Sequence, residues 1–400
     1  MGATDFTEPN LYINRELSLL EFNRRVLHQA KLDSVPLLER MRFLCIASSN
    51  LDEFFEIRVA GLKQQEAYGL GERGPDKLTP NEQLVQIGKL GHEFVDEQYR
   101  VLNEMLMPIL NVQGIRILQQ KQWNLDHQVW LKQYFATELS PILNPVALDP
   151  THPFPRVLNK GLSFIITLEG EDAFGRELDM AVVQAPRSLP RVIRLPDERG
   201  QGVYDFVLLT SIIAAHVGEL FQGVEVTGCY QFRVTRNSDL FVDEEEVDDL
   251  LSAVEGELSS RRFGDAVRLE IAGDCPNHLE EFLSGQFSVL SRDVYRCNGP
   301  VNLMRLNQIP DLVERRDLKF LPFNPVIPKR LGIDEDIFSA IRSGDILLHH
   351  PFHSFSPVVE FLRQSANDPD VVSIRQTLYR TGPDSTIARA LTDAANNGKE

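Results

Sequence analysis

Leu321-Pro-Phe-Asn-Pro-Val-Ile-Pro328 carries three prolines in eight residues. Proline fixes φ and removes a backbone donor, so this spacing holds the chain extended and gives a stiff connector. The stretch decides how the rest is divided. C-terminal to it the pattern is regular: a helix closed by Gly344, a strand over 345–349, a helix opening at Ser356-Pro357, a strand over 371–379 and a helix over 385–397. Strands alternating with helices make a βαβα unit with a parallel pair. Two parallel strands cannot cover the helix faces and edges they create, so residues 323–400 read as the start of a larger α/β domain, with a third strand expected after the stop at Asn397-Gly398.

N-terminal to the connector, residues 1–112 read as a helical bundle. Ser18 and Glu21 have capping-box spacing, followed by Leu19, Phe22, Val26, Leu27 and Ala30 at helical intervals. A second apolar run, Leu37, Leu38, Met41, Leu44 and Cys45, meets a polar break at Ser48-Ser49-Asn50, where a new cap is expected. Thr79-Pro80-Asn81-Glu82 combines an N-cap, a proline at N1 and a box glutamate, and predicts a long helix buried through Leu84, Ile87, Phe94, Val95, Leu102 and Met105. Residues 113–322 have mixed texture. Runs at 163–168, 180–184 and 191–195 predict strands of a sheet, and the acidic run from Asp243 to Glu257 keeps apolar residues at helical spacing, as the solvated face of a helix does. The expected fold class is therefore multidomain α+β.

Composition limits the function classes. Net charge is −17, from 58 acidic against 41 basic side chains, which argues against a broad nucleic-acid or anionic-membrane surface and requires any polyanion to be met locally. The four cysteines form no CxxC pair, which fits a reducing cytoplasm. No window approaches 18 apolar residues, so no transmembrane segment is expected.

Generic phosphate-binding and hydrolase motifs are absent. His349, His350 and His353 could bind a metal or accept a phosphate, but consecutive strand residues point to opposite faces, which favours polar packing at a sheet end. Arg380 ends a predicted strand, where ligands of open α/β sheets bind; it is read either as a phosphate donor or as a structural ion pair. Asn50 is either a helix N-cap or an adenine reader, since a carboxamide can donate to and accept from the base edge at once.

Seven segments then carry a resemblance: Glu16-Leu-Ser-Leu-Leu-Glu-Phe-Asn23, Glu39-Arg-Met-Arg-Phe-Leu44, Ser49-Asn-Leu-Asp-Glu-Phe-Phe55, His152-Pro-Phe-Pro155, Phe232-Arg-Val-Thr-Arg-Asn-Ser-Asp239, Gln376-Thr-Leu-Tyr-Arg380 and Asn396-Asn-Gly-Lys399. In this order they resemble motifs of the histidine-phosphorylating polyphosphate kinases, along essentially the whole chain. The resemblance implies an N-terminal helical domain over 1–112, a mixed head domain over 113–322 that serves homo-oligomer contacts, and the beginning of a phospholipase D-like catalytic domain over 323–400. It implies reversible transfer of the ATP terminal phosphate to inorganic polyphosphate through a phosphohistidine. None of His349, His350 and His353 matches that histidine's motif, so it is expected beyond residue 400 and these 400 residues are expected to be inactive alone. It also implies that Asn50 contacts the ATP base and that Arg380 belongs to the Mg²⁺ and phosphate site. A guanidinium has no lone pair for a metal, so Arg380 is expected to act through metal-bound phosphate. A cytoplasmic location follows, with peripheral docking at the inner membrane left open. The rival function is a non-catalytic polyphosphate-binding or dimerisation module derived from the family's front half.

Overall fold

In the computed structural model the first helix starts one turn earlier than its Ser18 signal. Helix α1 (Arg15–Gln29) is capped by Asn14, whose side-chain oxygen accepts from the backbone N–H groups of Glu16 and Leu17, each at 3.0 Å. Arg15, Glu16 and Leu17 are good helix formers, so the helix extends back to the earlier cap and Ser18 lies inside it. Its buried stripe is Leu20, Asn23, Leu27 and Ala30, while Leu19 and Phe22, expected in the core, are exposed.

The structure describes residues 7–69, 74–149, 152–171, 178–196, 203–221, 223–238, 264–331, 336–378 and 385–400. The acidic run from Asp243 to Glu257 and Arg380 lie outside the described residues. Chain contacts define two compact units, Met1–Phe320 and Leu321–Glu400. No helix among the described residues is long and apolar enough to cross a membrane.

In the first unit, α2 (Leu37–Glu53) runs unbroken through Ser48-Ser49-Asn50 and passes into a π-helical turn, Phe54–Val59, and then α3 (Ala60–Tyr68). The expected cap at Asn50 is therefore not one. Packing decides this, because Ala47, Ser48 and Leu51 are all buried and keep the helix in register with the core. Helix α4 (Pro80–Arg100) opens with the predicted box, Thr79 N–H donating to Glu82 at 2.8 Å and Glu82 N–H to the Thr79 hydroxyl at 3.2 Å. It continues through a π-helical turn, Val101–Leu106, into α5 (Met107–Val112).

The remainder of the unit is mixed. β1 (Ile115–Ile117), α6 (Leu125–Tyr134), β2 (Pro145–Ala147), β3 (Leu162–Glu169), β4 (Met180–Gln184), β5 (Val192–Arg194), β6 (Tyr204–Leu208), α7 (Leu209–His216), β7 (Glu225–Arg236), β8 (Ala266–Ala272), α8 (Asn277–Phe287), β9 (Val294–Cys297) and α9 (Gln308–Leu312) follow in order. The large sheet has order β2-β4-β3-β7-β8-β9, antiparallel except for the β8/β9 pair, whose parallel direction is allowed by crossover helix α8. A smaller sheet has order β1-β6-β5. Ile165, Val182, Phe232, Val234, Leu269 and Ile271 pack with Leu279, Leu283 and Phe287 of α8. Phe154 of the His152-Pro-Phe-Pro155 motif joins them, its ring 5.3 Å from that of Phe287.

The opposite face of β7 and β8 carries charge. Arg233 lies directly across from Glu270 and Thr235 from Arg268, and strand alternation sends all four toward the helices. There α2 supplies Asp52. Arg233 donates to both Asp52 oxygens, at 2.8 and 2.6 Å, and to Glu270 at 2.6 Å; Arg268 donates to Asp52 and, at 3.0 Å, to Glu270. The Arg268 guanidinium also lies 4.7 Å from the centre of the Phe55 ring. Two carboxylates and two guanidiniums make a neutral, buried knot.

The second unit consists of α10 (Ile337–Arg342), α11 (Ser356–Asn367), α12 (Thr386–Asn396) and extended chain. Asp336 caps α10 and Ser385 caps α12. The strands expected over 345–349 and 371–379 are not formed as a ladder among the described residues. Local preference favours extended chain in both runs, but a strand exists only with a hydrogen-bonded neighbour. The pairs present are Val326 with His353, and Glu400 bridging Val372 and Ile374 at 3.1 and 2.8 Å. His353 Nδ1 accepts from His349 N–H at 3.0 Å, so this imidazole serves turn packing. Asn397 Nδ2 donates to the Ala366 carbonyl and Lys399 Nζ to that of Val371, each at 2.8 Å, tying the Asn396-Asn-Gly-Lys399 motif to the C-terminal end of α11.

Two outcomes follow from this packing. Burial alone would raise the Asp52 carboxyl, but the charges and hydrogen bonds of Arg233 and Arg268 outweigh it and hold the group at about 2, below its ordinary 3.8. Its contribution is thus complete above about pH 4 and is lost as pH falls toward 2. Asp52→Ala should cost about 3–5 kcal/mol in denaturant unfolding, because it strands two buried guanidiniums, and should flatten the acid limb of the stability profile. At the α4/β9 contact, a Cβ at Gly91 would stand 2.6 Å from the Tyr295 hydroxyl oxygen. Gly91→Ala should therefore destabilise by about 1–3 kcal/mol despite its better helix propensity, again measured by denaturant unfolding.

Candidate functional site

The exposed apolar residues of α1 have a use. Leu19 and Phe22, with Leu20 and Asn23 beneath them, form one wall of a cavity of about 340 Å³. The end of α2 and the π-helical turn form the other, through Asn50, Glu53, Phe54, Ile57 and Arg58. The volume lies at the lower end of the range for small-molecule sites, and the lining has their character, mostly apolar with a few polar groups. The π-helical turn helps by placing Phe54, Ile57 and Arg58 on the cavity side directly after Asn50.

Asn50 is half-buried in this wall. Its Nδ2 donates to Asn23 Oδ1 at 3.2 Å, and Asn23, buried, donates in turn to the Ala47 carbonyl at 2.8 Å. This relay orients the Asn50 carboxamide. One N–H is used on Asn23; one N–H and the carbonyl oxygen remain, which is the donor–acceptor pair that an adenine edge requires. Arg58 brings positive charge to the lining and lies 3.9 Å from Glu16. Burial raises the Glu16 carboxyl above its ordinary value, an effect that Arg58 and Arg15 partly offset.

Of the sequence-predicted site residues, Asn50 faces a cavity, and Arg380 lies outside the described residues. Arg58, Phe22 and Ile57 were not anticipated. For Phe22 the signal was a polar Asn23 at a buried stripe position, which shifts the α1 core face by one residue and leaves Phe22 exposed; Ile57 and Arg58, on the π-helical turn, had none. Among the described residues no three His, Cys, Asp or Glu side chains stand together as a metal site; Mg²⁺ that arrives on a nucleotide needs no such cluster, since phosphate oxygens and water supply most of its ligands.

Comparison with known proteins agrees along the chain. Residues 12–118 match the model of the polyphosphate kinase N-terminal domain, 126–309 that of the polyphosphate kinase middle domain, and 336–400 that of polyphosphate kinase C-terminal domain 1. A polyphosphate kinase of Pseudomonas putida is 54% identical over 98% of this chain and 54% of its own length. One of Pseudomonas aeruginosa is 51% identical over 98% of this chain and 57% of its own. The crystal structure of polyphosphate kinase from Porphyromonas gingivalis superposes with a TM-score of 0.78 at 27% identity, covering 97% of this chain and 55% of that one. The chain spans about half the length of the curated relatives it matches. Three successive domain models, high identity and a shared fold lead to one conclusion: the chain belongs to the polyphosphate kinase family.

Proposed function

We propose that the chain contributes nucleotide recognition to an ATP:polyphosphate phosphotransferase. The observation that carries the reading is the Asn50 carboxamide, oriented by Asn23 and left with one donor and one acceptor in the wall of an apolar cavity. The adenine ring enters between Phe22 and Ile57, where its faces are desolvated, and Asn50 reads its edge. The phosphates extend toward positive charge, for which Arg58 is the nearest candidate in the lining and Arg380 the family candidate.

The transfer is reversible because the phosphoanhydride broken and the one formed are chemically alike. In this proposal the γ-phosphate passes through a phosphohistidine beyond residue 400, and the residues described here bind and orient the nucleotide without attacking it. Mg²⁺ comes with the phosphates, with Arg380 contacting their oxygens. The protein works in the cytoplasm, and the mixed region after residue 112 supports self-association.

Calorimetric titration of the chain with ATP and with adenosine tests the base site. Asn50→Ala should weaken both by about tenfold, the value of a lost bidentate pair, while the thermal midpoint barely moves, because the residue is neither a cap nor a core group. Equal affinities in variant and wild type would remove the assignment. For the phosphate contact, Arg380→Ala in a full-length protein should lower kcat by more than it raises KM, as expected of a group that strengthens its contact in the transition state.

A further inference from the structure

The chain is strongly acidic, yet one region of the first unit holds an excess of guanidinium. Arg191 stands at the start of β5, with its backbone N–H and that of Val192 donating to Gln308 Oε1, both at 3.0 Å. That contact brings β5 against the turn Leu303–Asn307, which carries Arg305. Arg187 is held in the preceding loop by donation to the Asn159 carbonyl. Arg191 is only 7% exposed, and its Nη1 is buried with no hydrogen-bond partner; Arg187 and Arg305 are exposed.

Among the described residues none of the three guanidiniums is ion-paired with a carboxylate. Asp52 and Glu270 are taken by Arg233 and Arg268, and Glu56 by Asn159 and Lys160, each at 2.6 Å. Burial and then repulsion from Arg305 and Arg187 pull Arg191 down to about 10. Arg305 is lowered as well, by burial and then by Arg233 and Arg187. A buried, unsatisfied guanidinium N–H facing like charge costs stability, and native proteins rarely keep one without a use.

We propose that Arg187, Arg191 and Arg305 form a binding site for phosphoryl oxyanions, with the buried Arg191 innermost and the two exposed guanidiniums beside it. A phosphoryl group suits it better than a carboxylate. It carries more charge and presents three oxygens, which can accept from several guanidinium forks at once and satisfy Nη1. Inorganic polyphosphate and the phosphates of a nucleotide share this chemistry. The site rests on charge and burial and is independent of the base-recognition reading of Asn50.

The test follows the thermal midpoint of the chain as inorganic tripolyphosphate, ATP or adenosine is added at matched ionic strength. Tripolyphosphate should raise the midpoint, adenosine should not do so through this site, and an equal response to ATP would identify nucleotide phosphates as a second source. The exposed substitution Arg305→Gln should spare folding and weaken tripolyphosphate about tenfold, with Arg187→Gln acting in the same direction. Arg191→Gln should abolish the response and raise the ligand-free midpoint, since it removes an uncompensated charge. Asn50→Ala should leave the tripolyphosphate response intact, which separates this site from the base pocket. No tripolyphosphate shift in the wild type, or an unchanged shift in the Arg187→Gln/Arg305→Gln double variant, would overturn the proposal; should Arg191→Gln fail to fold, the exposed pair decides.

Discussion

The salt-bridge knot of Asp52, Arg233, Arg268 and Glu270 sets the geometry of the first unit. It is the point where a helix of the N-terminal region is joined by hydrogen bonds and charge to the central strands of the large sheet. Replacing such a knot with apolar side chains of equal volume is often neutral or stabilising, so its worth lies in specificity. Apolar packing tolerates rotation of a helix about its axis; a bidentate Arg–carboxylate contact does not.

That constraint reaches the candidate site. Two residues along a helix rotate the side chain by about 200°, so once Asp52 is fixed toward the sheet, Asn50 must point to nearly the opposite side. It points at α1, where Asn23 receives it. Phe55, three residues after Asp52, returns to the sheet side and packs under Arg268. The segment Ser49-Asn-Leu-Asp-Glu-Phe-Phe55 therefore acts as a two-sided adaptor, with one side gripping β7 and β8 and the other forming the cavity wall. Its length and residue types are explained by the two tasks together, and neither alone would account for both Asn50 and Asp52.

What could be read in advance was whatever is decided within a few residues. The Thr79 box, the helix beginning near Ser385, the Gly344 stop and the runs that became β3, β4 and β5 are of this kind. The errors have physical causes. At Ser18 a valid box lost to an earlier cap with helix formers between, and choosing the wrong start rotated the α1 face, hiding Phe22 as a cavity residue. At Asn50 three small polar residues looked like a break, but their neighbours were buried by elements far away in sequence. Residues 345–349 and 371–378 form no ladder with each other, because pairing depends on partners that local pattern does not contain. Asp52 and Arg233 stand 181 positions apart; without the strand register no reading of either segment couples them. The proposed base-reading role of Asn50 comes from family resemblance, and what the structure adds is its place in the cavity wall and its hydrogen bond to Asn23.

The charge balance illustrates the difference between totals and places. A net charge of −17 suggests a surface that repels polyanions. Exposed charges more than about 8 Å away are largely screened at physiological ionic strength, whereas a buried guanidinium is screened much less. The field felt by an arriving phosphate is therefore set by the groups within a few ångströms. Around Arg191 these are Arg305 and Arg187, and Asp52, whose charge reaches Arg305, is already engaged in the knot. The knot that fixes the fold thus also engages Asp52, the carboxylate whose charge reaches Arg305, and an acidic chain keeps a local excess of guanidinium beside Arg191.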